Sequence, residues 1–207
     1  MIARTDITGL ILCGGGGTRI DGRDKPLEHL FGTPLVEHVR RRLLPQVARI
    51  VISCNRNAPV YARWGDTIVT DDMPGCGPLA GIVAGLARAD TDYVFVCPGD
   101  APFLSTTLVD RLAHALNGDT ADIVLPHDGI RQQPLFLLIR RSLATPLRHY
   151  LDAGGRAAHT FIDQQRHAVV DAAFEAESFV NINTTAELAA ATSAYQREHG
   201  QLQRSTT

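Results

Sequence analysis

No apolar run in the 207-residue chain approaches the roughly 20 residues needed to cross a bilayer. The N-terminus, MIARTDITGL, has no apolar core of the signal-peptide kind. A cytoplasmic protein without a membrane partner is therefore expected. Excess positive charge is also missing: 20 Lys and Arg stand against 22 Asp and Glu, a formal net charge of -2. That balance argues against a general nucleic-acid binder. The four cysteines, Cys13, Cys54, Cys76 and Cys97, include no CxxC pair, and the eight histidines form no HExxH-like spacing. A structural metal is not expected. The thiols should be reduced, with Cys13 and Cys97 packed at the ends of apolar runs. Aromatic residues make up only 6% of the chain and show no base-stacking pattern, so Trp64 reads as core. No GxSxG nucleophile motif is present.

What is present is a regular alternation. The hydrophobic content of 44% supports a real core. Short apolar runs at residues 7–13, 49–54, 67–70, 93–97 and 122–126 read as strands. Helical patterns fall between them at 34–46, 77–89 and 105–117, the last opening on Ser and Thr cap candidates. The middle one is rich in Ala and Gly, as suits a helix pressed against a sheet. This rhythm predicts an α/β fold, a three-layer α/β/α open and mostly parallel sheet of the Rossmann-like kind. Beyond residue 130 the pattern changes to a strand at 134–139, a helix near 141–151, and a short helix and strand within 156–171. FVNIN (179–183) then precedes a terminal helix over 184–199. One domain over 1–199 is expected, with a nucleotide-binding-like part at about 1–130 decorated by a second part at about 131–199, and a polar tail at 200–207.

The segment GLILCGGGGTRIDGRDKPL (Gly9–Leu27) leaves the first strand, at the rim where open α/β sheets bind ligands. Consecutive glycines let backbone N–H groups approach phosphate oxygens. Two familiar phosphate motifs fail here. Gly14 and Gly16 are followed by Arg19 where GxGxxG requires glycine, and Lys25 lies between Asp24 and Pro26 rather than in a P-loop. What remains is a glycine nest followed by two cations, Arg19 and Lys25, suited to offsetting charge on a triphosphate. The glycines alone fit a flexible turn equally well. Asp100, in PGDAPFL just past a buried strand, adds a carboxylate at the same rim. Mg²⁺ is usually held by one or two carboxylates plus substrate phosphates; the competing reading is a turn-forming aspartate.

These residues resemble a known family. LILCGGGGTRIDGRDKPL is similar to the LxxGGxSxRMGxDK signature of nucleotidyltransferases that activate small phosphorylated acceptors. GPLAGI (77–82), PGDAPF (98–103) and FVNINTTAEL (179–188) resemble later motifs of the molybdenum cofactor guanylyltransferase family, in the same order over roughly residues 7–190. The resemblance implies a nucleotidyltransferase fold, GTP and molybdopterin as substrates, Mg²⁺ as cofactor and pyrophosphate as product. It implies that Leu12, Cys13, Gly14 and Gly15 line the nucleotide, that Lys25 and Arg19 face its phosphates, and that Asp71 lies in the guanine pocket. By the same resemblance Asp100 holds Mg²⁺, the part at about 131–199 is acceptor-binding, and Asn181, Asn183 and Arg156 belong to the pterin end.

Molybdoenzyme chaperones and molybdopterin-delivering proteins are implied as partners on this ground alone. The chain departs from the signature at Ile20-Asp21 (usually Met-Gly), at Thr18 (usually Ser) and at Ser53, where an asparagine often contacts the nucleotide. Asn55, two residues on, is a candidate to share that contact. Asn181 and Asn183 alternate across Ile182, so on an extended strand both amides would share a face. The run Arg40-Arg41-Arg42 reads as a solvated helix face, and Arg131 with Gln132-Gln133 as candidate substrate contacts. Guanine is not distinguished from cytosine by these residues. A cytidylyltransferase, another transferase for a small phosphorylated acceptor, and a non-catalytic nucleotide-binding adaptor therefore stand as alternatives.

Overall fold

The computed structural model describes residues 2–14, 19–20, 23–73, 75–116, 120–184 and 186–191, with backbone alone at 19, 20 and 23. Seven strands build the central sheet: β1 (Ile7–Leu12), β2 (Arg49–Ser53), β3 (Thr67–Val69), β4 (Tyr93–Pro98), β5 (Ile123–His127), β6 (Leu137–Arg140) and β7 (His167–Asp171). Their order is β7-β5-β6-β4-β1-β2-β3. Only β6 runs antiparallel to its neighbours. The expected mostly parallel sheet is what forms. β1 is buried at all six positions, because a strand covered on both faces has no polar side to alternate. Its one hydroxyl, Thr8 Oγ1, is matched to Thr91 Oγ1 at 2.7 Å.

Helices α1 (Leu35–Leu43), α2 (Ala58–Tyr61), α3 (Pro78–Arg88), α4 (Leu108–Ala115), α5 (Ala144–Asp152) and α6 (Ala158–Asp163) cover this sheet. Alternate residues of β1 separate the two faces. Ile7 and Ile11 pack with α1 and α4, and Leu10 and Leu12 with α3, α5 and α6. On the second face the small residues of α3 permit close approach. A Cβ at Gly85 would lie 2.3 Å from Leu10 Cδ2, and one at Gly81 would lie 2.6 Å from Ser53 Oγ.

Several boundaries differ from the sequence reading. Pro34 pairs with His29 in a two-residue ribbon, so α1 begins at Leu35; it gives way at Leu44 to a 3₁₀ turn containing Pro45, where proline cannot continue the α-helical ladder. The expected Ser cap of α4 is displaced: Ser105 Oγ accepts from the Thr107 N–H at 3.2 Å, while Gln46 Oε1 accepts from Val109 N–H at 3.0 Å. A side chain from the end of the α1 segment thus satisfies the orphan donor of α4. The strand expected from 134 starts only at Leu137, because Phe136 N–H closes a turn onto Gln133 O at 3.0 Å. A helical stretch is described over 186–191, and the remainder of the terminal helix and the tail expected at 200–207 lie outside the described residues.

The run Arg40-Arg41-Arg42 lies on the outer side of α1. Arg41 pairs with Glu37, but Arg40 Nε donates to Trp64 O at 3.0 Å and Arg42 Nη1 to Leu104 O at 3.4 Å, so two of the three also tether loops. All four cysteines are free and buried.

Candidate functional site at the switch point of the sheet

From β1 the chain proceeds outward in one direction through β2 and β3, then returns to the other side of β1 to begin β4. The crevice beyond the carboxyl ends of β1 and β4 is therefore a topological switch point, where open α/β sheets bind ligands. Leu12, Cys13 and Gly14 form one wall of it and Gly99-Asp100 the other. The walls are stitched together: Gly99 N–H donates to Leu12 O at 2.9 Å and Cys13 N–H to Ser53 O at 2.8 Å. Glycine is required at 99, since a Cβ there would lie 2.6 Å from Cys13 Sγ and 3.3 Å from Leu12 O. At Gly14 the reverse holds. A Cβ would meet nothing nearer than 3.5 Å, so the protein itself does not require glycine there. Gly15 and the side chain of Arg19 lie outside the described residues, as do Thr18 and Asp21.

Lys25 opens a 3₁₀ turn, Lys25–Leu27, and is 7% exposed. Its Nζ donates to Asn183 Oδ1 at 2.8 Å and stands 3.9 Å from Asp100 Oδ2. An ammonium carries three donors, and among the described residues Asn183 takes one. Asp100 is equally buried, at 7%. Burial pushes its carboxyl above the usual carboxylate range, with the nearby Lys25 charge and a backbone hydrogen bond pulling it back down only in part. Asp100 O also accepts Ile182 N–H at 2.9 Å. Two contacts thus hold the Asn181–Asn183 segment against the crevice.

That segment is not a paired strand, and its two asparagines differ in exposure. Asn183 is exposed, whereas Asn181 is partly buried with Oδ1 enclosed and unpartnered among the described residues. A cap lies immediately downstream. Glu187 Oε2 accepts the Asn183 and Thr184 N–H groups at 2.6 and 3.1 Å, and Thr184 Oγ1 accepts Glu187 N–H at 3.1 Å. Beside this reciprocal arrangement, Asn183 Nδ2 turns back to Asn181 O at 3.2 Å.

Beyond β2 and β3, Asn55 and Asp71 form a reciprocal pair. Asn55 Nδ2 donates to Asp71 Oδ2 at 2.6 Å, and Asp71 N–H donates to Asn55 Oδ1 at 3.1 Å. Ser53, by contrast, is buried under Gly81 of α3, so Asn55 is the rim residue of this strand. Arg156 reaches the same rim, because α5 climbs from the far end of β6 toward it. Its guanidinium closes the end of α5, donating to Leu151 O at 2.9 Å and Gly155 O at 2.6 Å; no described contact joins it to Lys25 or Asp100. In the loop after β5, Asp128 accepts the Ile130 and Arg131 N–H groups, both at 2.7 Å, and Gln133 Nε2 at 2.6 Å. The two backbone bonds hold its carboxyl below the usual range. Gln133 is thereby committed inside the loop rather than to a ligand.

Two side chains with a part in this rim, Asp24 and Tyr61, escaped the sequence reading. Asp24, next to Lys25, accepts Tyr61 OH at 2.8 Å and Asn57 Nδ2 at 3.0 Å. The signals for Asp24 were its adjacency to Lys25 and its match to the aspartate of the quoted signature; Tyr61, 37 residues away, had none.

A glycine-walled crevice at the switch point, with a buried lysine facing a lone buried carboxylate, defines an α/β protein of the nucleotide-binding class. More narrowly, the chain belongs to the MobA-like NTP transferase domain family, which matches residues 9–169. It is 45% identical over 195 residues to the molybdenum cofactor guanylyltransferase of Cupriavidus necator, covering 91% of this chain and 97% of that protein. It is 43% identical over 199 residues to that of Ralstonia pickettii, with 91% and 97% covered. Among solved structures, molybdopterin-guanine dinucleotide biosynthesis protein A from Archaeoglobus fulgidus is similar with a TM-score of 0.76 at 23% identity, covering 92% of this chain and 99% of that one. At that identity the likeness is one of fold.

Proposed function

We propose that the protein transfers GMP from GTP to the phosphate of molybdopterin, forming a molybdopterin guanine dinucleotide and releasing pyrophosphate. The observation that carries this reading is the buried Lys25 ammonium. It spends one hydrogen bond on Asn183, faces Asp100 at 3.9 Å, and sits where a glycine-walled crevice would bring a triphosphate. Burying such a charge is costly unless it is paired, and phosphate oxygens would pair the donors that remain. The family and the guanylyltransferase relatives support GTP as the nucleotide.

Asp100 suits Mg²⁺. It is a hard oxygen donor, buried, with its burial only partly offset by Lys25 at 3.9 Å. Among the described residues no cluster of three or more His, Cys, Asp or Glu could hold a metal alone, so substrate phosphates would complete the coordination. When bound, Mg²⁺ would offset negative charge on the triphosphate. The protein's own work is to bring two anions together. Lys25 contacts the phosphates, with Arg19 as its companion, and Asn55 with Asp71 borders the base. The acceptor phosphate oxygen attacks the α-phosphorus in line and pyrophosphate departs, with no side chain joined covalently. Asn181, Asn183 and Arg156 are assigned to the pterin end, Asn183 also touching Lys25. A single domain over 1–199, a cytoplasmic location, and exchange with molybdopterin-delivering proteins or molybdoenzyme chaperones belong to the same reading. No helix among the described residues is long and apolar enough to cross a membrane.

A thermal-shift panel of GTP, CTP, ATP and UTP with Mg²⁺ tests the base, because a bound ligand stabilises by mass action. Pyrophosphate release with molybdopterin tests the chemistry. GTP alone should raise the melting temperature and release pyrophosphate. A shift with CTP instead would make it a cytidylyltransferase, and binding without pyrophosphate would make it an adaptor.

A further inference from the structure

We infer that Asp24 and Tyr61 are positioning residues for Lys25, holding the lysine stem in the crevice from outside the site. The inference rests on the reading of Lys25 as a phosphate contact. Asp24 is the residue directly before Lys25. Both of its carboxylate oxygens are engaged, Oδ1 by Tyr61 OH at 2.8 Å and Oδ2 by Asn57 Nδ2 at 3.0 Å. Its backbone also pairs with Arg19 across a two-residue ribbon. The carboxylate therefore ties the backbone at the base of the lysine, which also pairs with Arg19, to the α2 segment.

The mount on the other side is rigid. Tyr61 is fully buried in α2 and its ring meets Trp64 edge-on at 6.2 Å. The Trp64 carbonyl is in turn held by Arg40 of α1. Asn57 sits at a left-handed φ of 54°, a conformation asparagine tolerates better than most residues. Burial and the neighbouring Asp24 charge raise the Tyr61 hydroxyl far above its usual range, so it remains a donor. Past Lys25, Glu28 N–H returns to Lys25 O at 2.9 Å. Lys25 is thus fixed on both sides along the chain, and only its ammonium is free to exchange Asn183 for a ligand. The alternative use of Asp24, as a metal ligand or proton acceptor, would require breaking two charge-assisted bonds.

The test is a double-mutant cycle on the full chain, reading Mg²⁺·GTP affinity by calorimetry and folding by melting temperature. Tyr61→Phe keeps the ring and removes the hydroxyl. It should weaken Mg²⁺·GTP about tenfold, or about 1.4 kcal/mol, when Lys25 is present, and by less than about twofold in the Lys25→Ala background. A purely structural role would give equal losses in both backgrounds and would overturn the inference. Undiminished affinity in Tyr61→Phe would overturn it as well. If Tyr61→Phe does not fold, Asn57→Gly, which accepts the left-handed φ, reads the same cycle from the exposed side of Asp24. Should Lys25→Ala itself leave affinity unchanged, it is the phosphate-contact reading that fails, and the inference with it.

Discussion

The two ends of the rim are built differently. At the crevice end the bonds join distant parts of the chain: Lys25 to Asn183 across 158 residues, Tyr61 to Asp24 across 37, Asn55 to Asp71 across 16. At the far end the bonds of Asp128 and Arg156 are local, although Ala172 N–H reaches His127 O and Glu175 takes Ser105 and Arg111. Asp128 holds residues 2, 3 and 5 positions on, and Arg156 bonds carbonyls 5 and 1 positions back. Long-range bonds give a geometry that exists only when the whole fold exists, so the crevice is preorganised at no cost on binding. Local bonds leave each loop free to shift as a unit. On the proposed function, the contrast suits a protein that holds a triphosphate in one register while it takes up a second substrate.

The largest expected effect removes the crevice end's charge outright. Lys25→Ala should lower the rate of pyrophosphate release by about 10²–10³-fold, roughly 3–4 kcal/mol, as loss of a preorganised charge does. Single-turnover kinetics with saturating Mg²⁺·GTP would measure it, and a near-normal rate would remove Lys25 from the chemistry. Next in size is Gly99→Ala. Its new methyl would press on Cys13 Sγ and Leu12 O, so unfolding stability should fall by about 1–3 kcal/mol, as overpacking does, measured by urea denaturation. GTP affinity should fall with it.

A pH effect separates the ends further. Burial raises the Asp100 pKa, so its protonated form favours folding below the ordinary carboxylate range, and that contribution is lost as pH rises through the raised folded value. Magnesium binding needs the ionised form. The melting-temperature gain from Mg²⁺·GTP should therefore grow as pH rises above the ordinary carboxylate range and flatten in Asp100→Asn. An equal pH dependence in both proteins would assign it elsewhere. The smallest effect belongs to the far end. Asp128→Ala should speed hydrogen exchange in residues 128–133 while leaving Mg²⁺·GTP affinity unchanged. A loss of nucleotide affinity there would mean the two ends are coupled.

How much of this was legible beforehand obeys the same division. The apolar runs of β1 and β4 and the small residues of α3 announced a buried parallel sheet, because burial on both faces leaves a pattern in neighbouring residues. Lys25 and Asp100 were legible as candidates from their places after strands. The partner of Lys25 was not: Asn183 was read with Asn181 as a pair on one extended face. Among the described contacts only Asn183 meets the lysine, next to the Thr184–Glu187 cap. Ser53 was read as a departure at an asparagine position, with Asn55 as the candidate contact; Gly81 of α3 covers Ser53. The Asp24–Tyr61 bond and the Gln46 cap of α4 left no local trace at all.

Local patterns along the chain were enough to set the class of fold, the position of the glycine loop and the kinds of side chain brought to the rim. Burial periodicity and turn chemistry act over a few residues, so they can be read there. Which groups meet was settled only by the packed fold. A hydrogen bond between Lys25 and Asn183, or between Asp24 and Tyr61, depends on strand order and helix packing that bring remote segments together, to 2.8 Å in both cases.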